Sequence, residues 1–330
     1  MITPSFGLTA TERVLPKLAL DFTTATLDPR VTFTRSGNTA TYTNPSGVIT
    51  AINANLPRFD YNPTTLVCQG LLIEEARTNL LLNSLIDGTS LTTQSVTVAA
   101  TAYTLSFYGT GSIDLSGTHT ATVTGTGAYP SRKTYTFTPT AGTLTLTVTG
   151  TVQYAQLEAG AFATSYIPTT TTALTRNADV ATMTGSNFSS WYNASEGTFV
   201  SEAGYMSIAA ANYVAASVSD GTTQNQIRVY QVNGVGAGYV KTLNVDQAIM
   251  TKSGITANTF IKQAIAYKQD SFAYDHAGGT IVTDTSGTIP TVTRLDIGGL
   301  AGNPSLNGWI KKLNYYPQRL INNEVQSFSK

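Results

Sequence analysis

The chain has little cysteine and little charge. Cys68 is its single cysteine, which excludes an internal disulfide and a cluster of thiolate metal ligands. Charged residues make up 12% of the 330 residues, about half of the roughly 25% that is usual. Lys plus Arg and Asp plus Glu are equal, at 19 each. Without a basic field, neither nucleic acid nor an anionic membrane is an expected partner.

Histidine and long apolar runs are also scarce. His119 and His276 are the two histidines, both are predicted to be solvent-exposed, and neither has a Gly-x-Ser-x-Gly serine nearby. No apolar run approaches the ~18 residues that predict a membrane span. The first 22 residues lack a basic segment that leads into an apolar one, so no secretory signal is predicted. We therefore expect synthesis in a cytoplasm.

Threonine, 28 glycines and 17 tyrosines are abundant instead. Threonine and tyrosine favour strands, and glycine favours turns. In residues 142–152, Leu144, Leu146 and Val148 alternate with threonines, which is typical of a half-buried strand. The predicted fold is all-β: tandem antiparallel β-sandwiches (jelly rolls), preceded by a small irregular β-rich N-terminal arm.

The predicted organisation has four parts. They are an N-terminal docking region (1–83), a β-sandwich (84–168), an extended Thr-rich connection (169–177) and a jelly roll (178–330). The connection lacks the Gly/Ser content of a flexible tether, so we expect the two sandwiches to keep a fixed relative orientation. At 74–82 the pattern leaves a short helix or an irregular arm open. A helical turn capped by Asn322 or Asn323 is predicted near the end.

Several stretches resemble known families. GLLIEEARTNLLLNS at 70–84 and QYAQLEAGAFATSYIPTTTTALTRNADVA at 153–181 resemble modular spike and fibre proteins of tailed bacteriophages. Residues 103–117 and 137–150 are similar to the carbohydrate-binding jelly rolls of phage structural proteins. GWIKKLNYYPQRLINNEVQSF, from Gly308, resembles the closing pattern of concanavalin A-like or laminin-G-type jelly rolls.

The resemblance implies a non-enzymatic protein on the exterior of a virion, as a head or tail spike or fibre. It implies attachment to host surface polysaccharide, docking to other virion proteins through the N-terminal region, and a homo-oligomer, trimeric by analogy. Synthesis would be in the host cytoplasm. Two alternatives stay open: a purely structural capsid or tail decoration (cement) protein, and a polysaccharide depolymerase.

No catalytic residue is predicted. A glycosidase needs two carboxylates that flank the bond, and the Glu-x-Asp-x-x-Glu run of concanavalin-like glucanases is missing. Glu74 and Glu75 are adjacent and would point to different faces of a strand. A salt bridge to Arg77 or an exposed position is the simpler role for them.

Sugar recognition needs aromatic faces that stack on sugar rings, together with polar groups that reach hydroxyls. Many aromatic residues are available, including Tyr108 and Trp309. The predicted glycan-binding residues are Trp191, Tyr192, Tyr239, Tyr230 and Tyr129.

No cofactor is predicted, with calcium as the one open alternative. Calcium needs six to eight oxygen ligands. The candidate ligands are Asp220, Asp275 and Asp284, and ordinary Asx turns are the other interpretation of these residues.

Overall fold

The computed structural model describes residues 14–330, and strands dominate it. The first part contains β1 (Leu18–Asp21), β2 (Thr32–Thr34), β3 (Ala40–Thr43), β4 (Ile49–Ile52), β5 (Arg58–Tyr61), β6 (Cys68–Ile73) and β7 (Arg77–Asn79). The middle part contains β8 (Gln94–Val98), β9 (Tyr103–Tyr108), β10 (Ser112–Gly117), β11 (Ala121–Thr124), β12 (Lys133–Phe137), β13 (Gly142–Thr149) and β14 (Gln153–Ala159).

The last part holds fourteen further strands and two short helices. The strands are β15 (Leu174–Arg176), β16 (Val180–Thr184), β17 (Glu196–Tyr205), β18 (Tyr213–Ser219), β19 (Gln226–Val232), β20 (Val235–Thr242), β21 (Val245–Ser253), β22 (Phe260–Lys268), β23 (Ser271–His276), β24 (Val282–Asp284), β25 (Arg294–Ile297), β26 (Gly299–Leu300), β27 (Asn303–Pro304) and β28 (Gly308–Tyr316). The helices are α1 (Ser186–Ser189) and α2 (Asn322–Phe328).

Two large antiparallel sheets form the first sandwich, here called the large sandwich. One sheet has the order β24-β23-β22-β17-β28-β6-β5, with β1 also paired to β28. The other has the order β2-β16-β25-β18-β19-β20-β21. Their inner faces share one apolar core that includes Leu20, Ile73, Phe199 and Ile297. The prediction of an all-β sandwich fold is confirmed.

The described part of the N-terminal region, residues 14–83, does not form the separate arm that was predicted. Leu18 on β1 lies opposite Tyr315 on β28, and both β2 and β6 pair with strands of the large sandwich. The burial of Leu18 and Leu20 on β1 explains the difference. So short a strand needs a larger sheet to cover its apolar face. Residues 1–13 of the predicted docking region lie outside the described residues.

A second, smaller sandwich is built from the middle of the chain. Its sheets have the orders β11-β10-β13-β8 and β12-β9-β14, and it has its own core. The alternation predicted for β13 is confirmed, because Leu144 and Leu146 are buried while Thr143 and Thr147 are exposed. We call this unit the small sandwich.

The small sandwich is inserted into the large one. The chain leaves along β7 and returns along β15, and these two strands pair with each other, Thr78 opposite Thr175. Thr169, in the predicted connection, is buried. Its hydroxyl donates to the Leu81 carbonyl at 2.6 Å and its N–H to the Ser84 carbonyl at 2.8 Å. The connection is therefore held at its start by the hydrogen bonds of Thr169 and near its end by the pairing of β15 with β7.

Buried charges fill the joint between the two sandwiches. Arg58 Nη1 lies 2.7 Å and Arg176 Nη1 lies 3.0 Å from the same oxygen of Glu74. Arg35 Nη1 lies 3.0 Å from Asp179 Oδ1, and Arg58 Nη2 contacts the other oxygen of Asp179. All of these side chains are fully buried. Arg58 lies on β5 and Arg176 on β15, whereas Arg35 follows β2, Glu74 follows β6 and Asp179 precedes β16. The network therefore ties these five elements together.

Ser165, which follows the small sandwich in the chain, joins the same network. Its N–H and Oγ donate to the two oxygens of Glu74 at 2.7 and 2.6 Å, and Arg58 donates to its Oγ at 2.7 Å. The fixed orientation of the two sandwiches stays a prediction, and these contacts are its physical basis. Glu75, not Glu74, pairs with Arg77, at 2.5 Å.

Three smaller sequence predictions fall within the described residues. Residues 74–82 form no helix: an irregular stretch lies on each side of β7. The predicted helical turn is α2, but its N-cap is Ile321, whose N–H donates to Glu324 at 3.2 Å. His276 is buried rather than exposed, because β23 lies inside its sheet between β22 and β24. Within residues 14–330, no helix has the length and apolar character needed to cross a membrane.

Candidate functional site

A cleft of about 560 Å³ lies between the two sandwiches. The large sandwich contributes Asp60 and Trp309 to its lining, the β3–β4 hairpin contributes Tyr42, and the small sandwich contributes Tyr108, Tyr129 and Arg132. Residues 161–166, which follow β14, also line it. Its volume falls in the range of about 300–1,000 Å³ that small-molecule sites occupy.

Asp60 is the carboxylate on the large-sandwich wall. It lies on β5 and is 8% exposed. Its Oδ1 accepts a hydrogen bond from the Thr43 N–H at 2.7 Å, and its Oδ2 accepts one from Trp309 Nε1 at 2.9 Å. Burial raises the pKa of Asp60, although these two hydrogen bonds act in the opposite direction. The bond to Asp60 also orients the half-buried Trp309 ring at the cleft.

Tyr108, Tyr129 and Tyr166 line the opposite wall and form a cluster with Tyr154. The Tyr108 and Tyr129 ring centroids are 5.1 Å apart, Tyr154 lies 5.9 Å from Tyr108, and Tyr166 lies 5.4 Å from Tyr154. Burial raises the pKa of Tyr129 to about 12. A hydrogen bond with the Thr43 side chain acts on this pKa in the opposite direction, although the contact between the two side chains does not have regular hydrogen-bond geometry.

Arg132 supplies the cationic group of the cleft. Its Nη1 donates to the Thr164 carbonyl at 2.7 Å and its Nη2 donates to Ser106 Oγ at 2.7 Å. Its guanidinium carbon lies 6.0 Å from the Tyr108 ring centroid. The Arg132 Nε is buried without a hydrogen-bond partner. The cleft thus combines aromatic faces with donors and acceptors that the neighbouring protein fixes in place.

Of the five predicted glycan-binding residues, Tyr129 lies in the cleft. Trp191 is 4% exposed and packs edge-on against Tyr315 in the core of the large sandwich. The Tyr192 ring is stacked on Phe188 and on Tyr315. The sequence placed Trp191 and Tyr192 in a loop, whereas residues 186–189 form α1 and bring both rings inward. Neither ring presents a free face to a sugar.

Tyr230 and Tyr239 lie elsewhere, on the outer face of the seven-stranded sheet. They belong to a small apolar cluster that is separate from the main core. Arg228 packs against both rings, with its guanidinium carbon 4.2 Å from the Tyr230 centroid and 4.7 Å from the Tyr239 centroid. We call these three residues the Arg228 clamp. Both tyrosine rings of the clamp are therefore in contact with the Arg228 cation.

The three candidate calcium ligands lie apart from one another. Asp220 accepts from the Thr222 N–H at 2.9 Å and from Asn225 Nδ2 at 2.8 Å, as in the alternative Asx-turn interpretation. Asp275 is buried, forms a salt bridge with Lys252 and accepts a hydrogen bond from Ser329 Oγ. Asp284 accepts a hydrogen bond from the Ser286 N–H at 3.1 Å. No group of three or more His, Cys, Asp or Glu in the described residues is arranged for a metal. Calcium at these residues stays a prediction.

Sequence reasoning missed Asp60 and Arg132. The segment PRFDYNP at 57–63 carried a signal of a polar site. Its aspartate lies between two aromatic residues and is followed closely by an asparagine, which is unusual in an apolar strand. Regular alternation would put Phe59 and Tyr61 on the face opposite to Asp60, so the pattern alone does not indicate a shared site. The register shifts between Asp60 and Tyr61, and both residues line the cleft. Arg132 has no such signal, since its role depends on how the two sandwiches meet.

Comparisons with known proteins leave the family open. No protein-family model matches the chain, and no curated protein matches it. Among solved structures, the chain is similar to the CBM40 of the Ruminococcus gnavus IT-sialidase bound to alpha2,3 sialyllactose. That similarity has 17% identity and a TM-score of 0.36 and covers 42% of this chain and 83% of the other.

The chain is also similar to the NanB sialidase from Streptococcus pneumoniae in complex with 2-[(3-chlorobenzyl)ammonio]ethanesulfonate. The identity is 10% and the TM-score 0.38, with 44% of this chain and 26% of the other covered. Neither similarity is close enough to carry a conclusion about this chain.

Proposed function

We propose that this chain is a non-enzymatic attachment protein that binds a saccharide in the cleft between its two sandwiches. The observation that carries the proposal is the convergence of Trp309 and Asp60 on one wall with Tyr108, Tyr129 and Arg132 on the other. Aromatic faces pack on the apolar faces of sugar rings, and a few oriented polar groups select the hydroxyls.

The polar groups of the cleft fit this role because two of them have unused hydrogen-bonding capacity. The Tyr129 hydroxyl and the Arg132 Nε are buried without regular partners. Five other arginine Nε atoms in the described residues are buried in the same way, so the Tyr129 hydroxyl is the more informative of the two. A saccharide offers many hydroxyls, each of which both donates and accepts, so it suits a cleft that presents both donors and acceptors.

Binding without cleavage is favoured by the number of carboxylates. Glycoside hydrolysis uses a pair of them, about 5–9.5 Å apart. Among the described residues that line the cleft, Asp60 is the one carboxylate. Its hydrogen bonds to Thr43 and Trp309 fit a role in orienting the Trp309 ring.

The setting that we propose is the exterior of a phage or phage-like particle, with the host surface polysaccharide as the partner. It follows from the resemblance of residues 70–84 and 153–181 to spike and fibre proteins. Labelling of particles with an antibody against the chain tests the setting: electron micrographs with label on head or tail surfaces support it, and unlabelled particles contradict it.

The cleft itself is tested with a glycan array. The native chain should bind at least one host polysaccharide, and Tyr129→Ala should weaken that binding by roughly tenfold or more, because the variant removes a central aromatic contact. Tyr135→Ala is the matched control: Tyr135 is also a half-buried tyrosine of the small sandwich but lies outside the cleft. A blank array, or equal losses in the two variants, would contradict the proposal.

A further inference from the structure

The Arg228 clamp is a second polar site, on the seven-stranded sheet, whose strands contribute no residue to the lining of the cleft. Along β19, Ile227 and Val229 belong to the main core, whereas Arg228 and Tyr230 alternate with them and lie on the outer face. Tyr239 is directly opposite Arg228 on β20. The two tyrosine rings are nearly perpendicular, at 80°, and the guanidinium packs against both.

The Arg228 cation has no carboxylate partner. Within residues 14–330, no acidic oxygen lies within 4 Å of its guanidinium nitrogens, and its Nε is buried without a hydrogen bond. The acid whose charge acts on it is Asp246, which instead accepts from the Tyr239 hydroxyl and lies 3.8 Å from Lys241. Burial lowers the pKa of Arg228, which marks a partly desolvated cation. The partners of the guanidinium are the two tyrosine rings and a hydrogen bond with the Tyr230 side chain, and none of them neutralises its charge. A partly desolvated cation without a neutralising group is costly, so the site suits an anion.

The charge balance and the surroundings indicate which anion fits. Arg228 and Lys241 carry two positive charges and Asp246 carries one negative charge. The net charge of the site is therefore one positive charge, which a ligand with one negative charge would neutralise. The planar fork of a guanidinium matches a carboxylate with two hydrogen bonds. Ile249 lies opposite Tyr239 on β21 and is 51% exposed, so an apolar surface adjoins the cation.

We propose that the Arg228 clamp binds the carboxylate of an acidic saccharide, such as a uronate, with the sugar ring against Ile249 and the edge of Tyr239. The tyrosines hold the guanidinium plane in a fixed orientation, which reduces the conformational entropy lost on binding. The inference extends the proposed function to a second site and to a ligand class, and it has a test of its own.

The test is a titration of the full chain with sodium glucuronate at constant ionic strength, followed by the Nε–H resonance of Arg228 in nitrogen–proton spectra. We expect saturable shifts with glucuronate and no saturable shift with methyl glucoside, which lacks the carboxylate. Arg228→Lys keeps the charge but loses the fork, and should weaken glucuronate binding by roughly tenfold or more. Lys268→Gln, which removes an exposed cation on the other large sheet, is the matched control and should bind as the native chain does.

Three results would overturn the inference: equal shifts with methyl glucoside, full affinity in Arg228→Lys, or no saturable shift with glucuronate. The comparison of the two sugars on the native chain needs no variant, so a folding defect in Arg228→Lys cannot obscure it. If glucuronate shifts resonances of cleft residues alone, the inference about Arg228 fails while the cleft proposal stands. If glucuronate binds at Arg228 but the glycan array is blank, the inference about Arg228 stands while the cleft proposal fails.

Discussion

Six charged residues are buried together at the joint of the two sandwiches, in a chain that has few charges overall. Three are arginines and three are carboxylates: Arg35, Arg58, Arg176, Glu74, Asp179 and Glu158. Each carboxylate has its own donors; Glu158, for example, accepts from the Thr164 N–H and Oγ, both at 2.7 Å. Because the charges balance and are hydrogen-bonded, burial is tolerated here.

Removal of one charged partner from this network should strongly lower the stability of the fold. Asp179→Asn leaves Arg35 and Arg58 without their shared carboxylate, and should lower the free energy of unfolding by about 3–5 kcal/mol. Urea unfolding measures the loss. Arg30→Gln is the control: its pair with Asp28 is partly exposed, so the expected cost is below about 1 kcal/mol. Similar losses in the two variants would contradict this account of the joint.

Glu74 makes the joint sensitive to acid. Burial alone would raise the pKa of Glu74, but the charges of Arg176 and Arg58 and the hydrogen bonds from Ser165 outweigh it and lower the pKa from 4.5 to about 2. A lowered folded-state pKa gives stability that is present above the unfolded-state value and is lost as the pH falls. The stability that Glu74 contributes should therefore fall between about pH 4.5 and pH 2. Urea midpoints over this range measure it, and a contribution unchanged at pH 3 would contradict the assignment.

At the scale of elements, the identity of many strands was predictable and their partners were not. The alternation of Leu144, Leu146 and threonine indicates one buried face, and β13 has it. The same kind of pattern in β1 indicates a half-buried strand, but its partner β28 lies almost 300 residues away. Period-two alternation is a property of one strand, whereas pairing depends on the whole chain. The predicted separate N-terminal arm failed for this reason.

The pairing of β6 with β28 can be tested at Gly70. Its φ is +102°, and a Cβ there would overlap the Ile310 carbonyl oxygen of β28. Gly70→Ala should therefore lower the free energy of unfolding by more than about 2 kcal/mol, through both backbone strain and overlap. Urea unfolding measures the loss.

Gly185→Ala is the control for Gly70→Ala. Gly185 also has a positive φ, +57°, but a Cβ there would meet nothing within 4 Å. Only backbone strain applies there, about 1–3 kcal/mol, because φ +57° with ψ −136° is a sparsely populated conformation for a residue with a Cβ. If Gly70→Ala lowers the free energy of unfolding by no more than Gly185→Ala does, the result contradicts the close contact between β6 and β28.

At the scale of the whole molecule, the insertion of one sandwich into another creates the cleft. The paired strands β7 and β15, the buried charges and the hydrogen bonds of Thr169 hold the small sandwich at several points. The sequence predicted Tyr129 as a binding residue and included Tyr108 and Trp309 among the available aromatics. It did not bring them together, because the cleft exists only where the two sandwiches meet. The same reason hides Asp60 and Arg132.

The predicted fixed orientation of the two sandwiches has a direct consequence in solution. Residual dipolar couplings from the two sandwiches should fit a single alignment tensor, because a rigid joint makes both follow the same orientation. Asp179→Asn, if it folds, should increase the difference between the two fitted tensors. Two clearly different tensors for the native chain would show independent motion and would contradict the rigid joint.

The central claim is that the cleft between the sandwiches holds a saccharide. A crystal structure of the chain with a saccharide that is positive on the array tests it most directly. We expect density for a sugar ring between Tyr129 and Trp309, with a hydroxyl within hydrogen-bonding distance of the Tyr129 hydroxyl or the Arg132 Nε. An empty cleft, with the saccharide bound elsewhere on the chain, would contradict the claim.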